Sequence, residues 1–523
     1  MELLNLKNQK NYFYIILILS VFLYFAGLGS TPIYILDEAK NAQCAREMYE
    51  KGNWIIPTFN GMLRTDKPPL HYWFMSLGYA IFGINEFGAR FFSALAGVGT
   101  VLSLYLFTKR FLGLQVAFIS CLVFLSSLNL SLEMHYAVPD PYLIFLLSTS
   151  LFCVFHFLQT NKAYFLYLFY GLMGLSVLTK GPVAIALPGL LVLAYLILSK
   201  QFSFKSIWKL SPIAGLIIVA GVALPWYYMV DKATGGEWTR GFFIEHNLER
   251  FTKIKEGHGG FFLITLAFVI LGLLPFSVYI FQAHIKAWKA RVNPFILFSF
   301  LASMSFILFF TVSKTKLPNY TMPCYPFIAI LIGAFLKQAG ELGLKGLKVP
   351  IWILFGIMAV IPVALWFAIE MEPQIKDMKW DSIWFITMPI TVAISLRYLY
   401  KKNFQKFFLW LSGGFILTSL IFLAIVFPKV YRKNPVYESL KMIDKKYPVV
   451  AFRDFNPGYI FYLGKPVPVL ETKDQVDSVS NANPHVYILT QERNTDDIAN
   501  NNFSKIYEGK DIFETPVTKL FWK

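Results

Sequence analysis

Asn11-Tyr12-Phe13-Tyr14-Ile15-Ile16-Leu17-Ile18-Leu19-Ser20-Val21-Phe22-Leu23-Tyr24-Phe25 opens a run that stays uncharged to Leu36 and stops at Asp37-Glu38-Ala39-Lys40. Lys7 and Lys10 precede it. A membrane span needs about 20 predominantly apolar residues, and this run exceeds that length. It is too long for the apolar region of a signal peptide, and no A-x-A cleavage site follows. It reads as a first transmembrane helix with its N-terminus in the cytoplasm. The pattern recurs at 91–108, 111–132, 141–161, 163–179, 181–199, 210–230, 259–285, 292–313, 317–336, 349–369 and 407–428, and more weakly at 382–396. By span length these runs predict about 13 helices.

Composition agrees. Of 523 residues, 56% are apolar and 15% charged, with 52 Phe and 28 Tyr. Ordinary soluble domains carry roughly 25% charge, which argues strongly against a soluble enzyme of this length. Disorder is excluded, since it needs low hydrophobicity and high charge. The net charge of +17 follows from cytoplasmic loops rich in Lys and Arg and calls for no nucleic-acid partner. Cys44, Cys121, Cys153 and Cys324 have no CxxC spacing, so neither a disulfide framework nor a zinc ribbon is indicated.

The charged-free segment 70–85 decides the topology. Read as a surface helix, it leaves Lys109/Arg110, Lys162, Lys200/Lys205/Lys209, Lys286/Lys289/Arg291, Lys337/Lys345/Lys348 and Arg397/Lys401/Lys402/Lys406 on the cytoplasmic side. The short opposite loops then hold only Lys180, Lys314/Lys316 and Lys376/Lys379. That asymmetry obeys the positive-inside rule. Two outer loops, 37–90 and 231–258, are long. Residues 1–428 read as the membrane domain. After Pro428 the composition becomes that of a small outer α/β domain, 429–523, with strands at Val449–Phe452, Val467–Leu470, Val486–Leu489 and Lys519–Trp522.

The chemistry-bearing residues collect on this outer face. Asp37 and Glu38 stand where the first helix leaves the membrane, with Lys40 beside them. Two compatible readings apply: carboxylates capping the next helix, or a catalytic carboxylate at the membrane surface. Arg64-Thr65-Asp66-Lys67-Pro68-Pro69 adds an acid and cations at a rigid Pro-Pro break; the alternative is an interfacial anchor. Val138-Pro139-Asp140-Pro141 places an acid at another helix mouth, Thr179-Lys180-Gly181-Pro182 a lone Lys, and Ser313-Lys314-Thr315-Lys316 two more. Cations that break the positive-inside bias mark an anion site near the outer leaflet, where Lys acts as a point charge and Arg as a bidentate fork. Gly235-Gly236 and Gly257, Gly259 and Gly260 suit either a lid or plain turns.

Taken in order, D-E, G-N-W-I-I-P, D-K-P-P-L-H-Y-W, F-G-x-R-F, V-P-D-P, T-K-G-P, E-H-N-L-x-R-F and S-K-x-K-L-P-x-Y resemble the bacterial aminoarabinose transferase and protein O-mannosyltransferase-like glycosyltransferases of the GT-C fold over residues 30–330. The resemblance implies an inverting transfer of a sugar from a polyprenyl-phosphate donor to a lipid A, glycan or protein acceptor. It places the chain in the bacterial cytoplasmic (inner) membrane, amid membrane lipids, with the active site and C-terminal domain in the periplasm. It makes Asp37 the principal catalytic carboxylate, with Glu38 beside it and Asp140 as a second acid. Lys40, Lys67, Lys180, Arg250, Lys314 and Lys316 become the lipid-phosphate cations. The family has Arg where this chain has Lys40, which keeps the charge and loses the fork. Asp66 and His246 match a pair that relatives use around zinc, so a divalent metal is a candidate cofactor; alone they are at most half of a tetrahedral site.

A flippase of a lipid-linked sugar is the alternative. It predicts acids at mid-membrane and repeat symmetry, and the apolar runs show neither. A membrane scaffold whose outer domain binds partners is a third reading, which no residue pattern requires.

Overall fold

The computed structural model describes residues 9–252, 259–344, 346–498, 503–513 and 515–523. Among them, nine helices are long and apolar enough to cross a membrane: Glu86–Leu112, Asp140–Thr160, Ala163–Lys180, Phe204–Ala233, Pro294–Val312, Pro318–Glu341, Lys348–Met371, Lys376–Tyr400 and Phe404–Tyr431. Asn11–Phe25, Leu114–Leu125 and Val183–Leu198 are shorter apolar helices. The run 259–285 is broken into Ile264–Gly272 and Ile280–Lys289. Pro275, which has no N–H to give to the ladder, sits in the break. The run 111–132 also breaks, because the Ser127 hydroxyl accepts the Leu130 N–H and starts a new turn, Leu128–Glu133.

The first charge-free run bends out of its helix at Phe25, and a second helix, Leu36–Lys51, starts at Ile35. Asp37 and Glu38 lie in its first turn, where the helix dipole favours them. The capping position itself belongs to Ile35, which offers no side-chain acceptor, so neither acid is the cap. Gly52, at φ 63°, ends the helix in the left-handed conformation that glycine adopts without strain. Segment 70–85 forms the helix Leu70–Phe82. Its 13 residues reach about 20 Å, short of the ~30 Å hydrocarbon core. It packs on Leu36–Lys51 through Ser76 and Tyr79, whose hydroxyls donate to the Ala45 and Ala42 carbonyls at 3.1 and 3.0 Å. It touches Glu86–Leu112 where Gly78 meets Gly88; a Cβ on Gly78 would stand 2.0 Å from the Gly88 carbonyl oxygen.

Between these helices lies a hairpin of β1 (Thr58–Phe59) and β2 (Met62–Leu63), paired antiparallel. Its turn is Asn60-Gly61, at φ 53° and 77°, the residues and torsions of a two-residue hairpin turn. The buried Glu47 carboxylate holds it, accepting from the Thr58 hydroxyl (2.7 Å) and the Asn60 (2.7 Å) and Gly61 (3.2 Å) N–H groups.

The C-terminal part carries β3 (Val449–Phe452), β4 (Val469–Leu470), β5 (Tyr487–Gln491), β6 (Ser504–Lys510) and β7 (Val517–Trp522). They form one sheet in the order β4-β3-β5-β7-β6. β3 is parallel to β4 and β5, whereas β7 is antiparallel to β5 and β6. β3 is buried on both faces, as a central parallel strand should be. Tyr34, Phe427, Tyr431 and Val436 share one core with Val449, Ala451 and Leu489 of the sheet. The sheet therefore packs on the end of the helical bundle.

Candidate functional site

Three segments meet above the helix Leu36–Lys51. The first is that helix's own start, with Asp37. The second is the stretch after β2, Arg64–Lys67. The third is the π-helical segment Gly241–Leu248, which carries His246. Indole groups fasten the second, through Trp238, and the chain that leads into it, through Trp73 and Trp226. Trp73 donates to the Trp54 carbonyl (2.9 Å), Trp226 to that of Ile55 (3.1 Å) and Trp238 to that of Arg64 (2.9 Å). Gly241 lets the third segment close on the second: a Cβ there would stand 2.8 Å from Thr65 Oγ1.

Asp37 is the centre of this cluster. Its Oδ1 lies 3.6 Å from Arg64 Nη2 and its Oδ2 lies 3.8 Å from Lys67 Nζ. Its side chain is 46% exposed, while Arg64 is 5% exposed, so the carboxylate faces open space and the guanidinium sits behind it. Burial of its surroundings pushes the carboxyl up, but Lys67 and Arg64 outweigh that and hold it down at about 2. Arg64 also meets Asp66, Nε to Oδ2 at 3.3 Å. Asp66 in turn lies 3.4 Å from His246 Nε2. Burial raises the Asp66 carboxyl, and Arg64, His246 and Lys67 together bring it below its ordinary range.

A second group adjoins the first. Lys180 Nζ donates to Asp140 Oδ1 at 2.5 Å and lies 5.1 Å from the centre of the Tyr320 ring. Glu133 interacts electrostatically with Asp140, Lys180 and Asp37. Burial, then the Asp140 charge, pushes its carboxyl up to about 8. His71 is fully buried, and both its ring nitrogens lack a hydrogen-bond partner among the described residues. Burial, then Lys67 and Arg64, keep it neutral.

The structure thus brings together Asp37, Asp66, Lys67 and His246, with Asp140 paired to Lys180. It places others elsewhere. Glu38 is fully buried and turned away to Arg90, which holds both its oxygens at 2.7 and 2.8 Å; its Oε1 also accepts the Ala137 N–H at 2.8 Å. The expectation of Glu38 at the reacting centre is corrected: its lone pairs hold three chain segments together. Lys316 is buried and donates to the Ser313 carbonyl of its own loop, and Lys314 is exposed. This loop reaches the cluster through Tyr320 instead. Lys40 has no ion-pair partner among the described residues. The Arg250 side chain and Gly257 lie outside the described residues. Gly235 and Gly236 take positive φ, 59° and 85°, in the turn before Glu237–Arg240.

The residues alone assign no role to Arg64, Glu133 or His71. Arg64 and His71 stand inside motifs quoted for other residues. Glu133 is the charge that ends the run 111–132 on the same face as Asp140, a signal available to the positional reading.

Among the described residues, no three of His, Cys, Asp and Glu gather as a metal site. Asp66 and His246 supply two donors of the four a tetrahedral ion needs, and among the described residues no third His, Cys, Asp or Glu gathers with them. The donor set does not complete a metal site.

Residues 66–228 match the family described as dolichyl-phosphate-mannose-protein mannosyltransferase. The undecaprenyl phosphate-alpha-4-amino-4-deoxy-L-arabinose arabinosyl transferase of Shewanella sediminis is 30% identical over 364 residues, covering 69% of this chain and 66% of that protein. The second such transferase of Proteus mirabilis is 28% identical over 431 residues, 80% and 76% of the two chains. The crystal structure of ArnT from Cupriavidus metallidurans bound to undecaprenyl phosphate has the same fold, with a TM-score of 0.78 at 20% identity over 98% of each chain.

Proposed function

Because the chain belongs to the aminoarabinose transferase and protein O-mannosyltransferase-like glycosyltransferases of the GT-C fold, we propose that it moves a sugar from a polyprenyl-phosphate donor to a lipid A, glycan or protein acceptor, with inversion. The observation that carries this reading is Asp37. It is an ionised, half-exposed carboxylate flanked by Lys67 and Arg64.

The acceptor oxygen bonds to the sugar's anomeric carbon as the bond from that carbon to the polyprenyl phosphate oxygen breaks. The electron pair leaves on the phosphate. Lys67, and Lys180 beside Asp140, stabilise the charge that develops there. Where the acceptor is a hydroxyl, Asp37 accepts its proton. Where it is an ionised phosphate, Asp37 orients the acceptor or stabilises positive charge on the sugar ring instead. Inversion needs one such carboxylate and no covalent sugar–enzyme intermediate. Asp140 holds Lys180 in place as its counter-ion. Asp66 and His246 would supply two of the donors a divalent ion needs, and the steps above use neither of them.

The same reading puts Asp37 and the sheet of β3–β7 on the periplasmic face of a bacterial inner membrane, with the N-terminus in the cytoplasm and 1–428 and 429–523 as the two domains. The distribution of Lys and Arg between loops supports that orientation.

The test incubates the purified chain in nanodiscs with extracted polyprenyl-phosphate sugars and outer-membrane lipid, in parallel with Asp37→Asn, and reads both lipid pools by mass spectrometry. The parent forms a glycosylated product, and the variant forms it on the order of 10²–10⁴-fold more slowly. Undiminished product from a folded Asp37→Asn protein would sink the reading. Donor displaced across the bilayer with no glycosidic product would turn it toward a flippase.

A further inference from the structure

Arg64 is buried, 5% exposed, yet neither Nη1 nor Nη2 has a hydrogen-bond partner among the described residues. Its contacts with carboxylates are long: 3.3 Å from Nε to Asp66 and 3.6 Å from Nη2 to Asp37. The ring of Tyr72 lies 5.9 Å from the guanidinium carbon. A buried guanidinium has five N–H donors in a rigid fork, and leaving charged donors unmet in a low-dielectric setting is costly. An acceptor that arrives with two oxygens would meet both nitrogens.

The other cations of the outer cluster are different. Lys180 is already bonded to Asp140, Lys316 to the Ser313 carbonyl, and Lys67 is a single point charge beside Asp37. Lys40, where the resemblance expects an Arg, cannot make a planar two-pronged contact. Among the described residues of the cluster, Arg64 alone carries a guanidinium. It comes from the strand end of the hairpin rather than from the helix Leu36–Lys51.

We propose that Arg64 grips the phosphate of the polyprenyl-phosphate donor through its two terminal nitrogens, and that this contact releases Asp37 from the guanidinium for the acceptor. The inference rests on the donor assigned above and names the residue of this chain that recognises its headgroup. The mechanism is an exchange of partners. In the free protein Arg64 leans on Asp37 across 3.6 Å, beyond hydrogen-bonding distance. Phosphate oxygens form shorter, charge-assisted bonds to the same nitrogens. The half-exposed carboxylate is then left facing the acceptor, so donor binding precedes activation of the acceptor.

The test measures dissociation constants of undecaprenyl phosphate, and of undecaprenol as the headgroup-free control, for the full chain in nanodiscs. Arg64→Lys, which keeps the charge and removes the fork, weakens the phosphate lipid about 10- to 100-fold, the loss of one charge-assisted bond. It leaves the alcohol within twofold. Asp37→Asn, which frees the guanidinium, tightens the phosphate lipid several-fold. Arg64→Lys and Arg64→Gln proteins that hold both lipids as the parent does would overturn the assignment. So would equal weakening of both lipids, which marks a structural role. Unchanged affinity in Asp37→Asn would refute the release. A parent that does not distinguish the phosphate from the alcohol refutes the donor reading itself, a separate result.

Discussion

Replacing Glu38 by Gln tests the division of labour between two neighbouring acids. Glu38 is fully buried, and its two oxygens accept from Arg90 Nε and Nη2 at 2.7 and 2.8 Å. Arg90 also donates to the carbonyls of Leu28 (3.1 Å) and Thr31 (2.6 Å), on the connection between the first two helices. The Ala137 N–H adds a third segment. Removing one member of a buried ion pair destabilises by about 3–5 kcal/mol, because the other charge is left unmet. Glu38→Gln keeps the shape and an acceptor for Ala137, and Arg90 keeps its carbonyls. The loss is therefore nearer the ~1–3 kcal/mol of one charge-assisted bond. Arg90→Met strands the Glu38 carboxylate and reaches the full figure. Thermal unfolding in detergent, read as the folded fraction surviving a heating series on gel filtration, should rank the parent above Glu38→Gln and Glu38→Gln above Arg90→Met. Surviving Glu38→Gln protein should transfer sugar within a few-fold of the parent. A Glu38→Gln protein with the parent's melting curve, intact donor binding and abolished transfer would show that Glu38 works at the reacting centre, and the geometric argument would be wrong.

Gly241→Ala puts a Cβ 2.8 Å from Thr65 Oγ1 and 2.9 Å from Thr65 Cβ. It should shift the segment that carries Arg64, Asp66 and Lys67 by a fraction of an ångström, and transfer should fall about 10- to 100-fold with little change in the melting curve; parent-like kinetics would refute the close-contact argument. Glu133 is pushed from an ordinary 4.5 up to about 8 by burial and then by Asp140. Its folded form therefore holds its proton longer than the unfolded chain does, and stability falls as pH rises from 4.5 through about 8. Glu133→Gln should flatten that slope in melting curves taken at pH 5, 6.5 and 8; an unchanged slope would show that Glu133 is ionised in the folded protein.

What the sequence disclosed follows from what kind of signal each element carries. Charge-free runs are a one-dimensional property, and helices such as Asp140–Thr160 and Pro294–Val312 follow them closely. The breaks at Pro275 and Ser127 depend on single residues inside an apolar run, where hydropathy is blind. β6 is polar along most of its length, and it earns its strand by pairing with β7 at the sheet edge, so alternation of apolar residues could not reveal it. The hairpin around Asn60-Gly61 was legible, since that dipeptide is a strong turn signal, but its four paired residues, Thr58, Phe59, Met62 and Leu63, are too few to form a run. At the site, Asp37, Asp66, Lys67 and His246 announce themselves as charges on the expected face. The split between Asp37 and Glu38 does not, because adjacent residues on a helix point about 100° apart and only the position of Arg90 tells which one turns inward.

The helix Gly458–Leu463 and the connection from it to β4 have a structural part in the site that the motifs do not mention. The Asn60 side chain forms two bonds with one residue beyond Pro428: its amide donates to the Val467 carbonyl and its oxygen accepts the Val467 N–H, both at 2.8 Å. Arg46, on the helix that bears Asp37, donates to the Phe461 carbonyl at 2.8 Å. The Tyr462 hydroxyl accepts the Ile33 N–H at 2.7 Å and donates to Glu86 at 2.8 Å. The hairpin that delivers Arg64 and Lys67 and the helix that delivers Asp37 are thus both tied to the stretch 461–467. Two strands joined by a two-residue turn are marginal on their own, so this attachment, together with Glu47, is what gives Arg64 a fixed place opposite Asp37. The stretch 461–467, which holds none of the groups proposed to react, thus supports both segments whose spacing the proposed chemistry depends on.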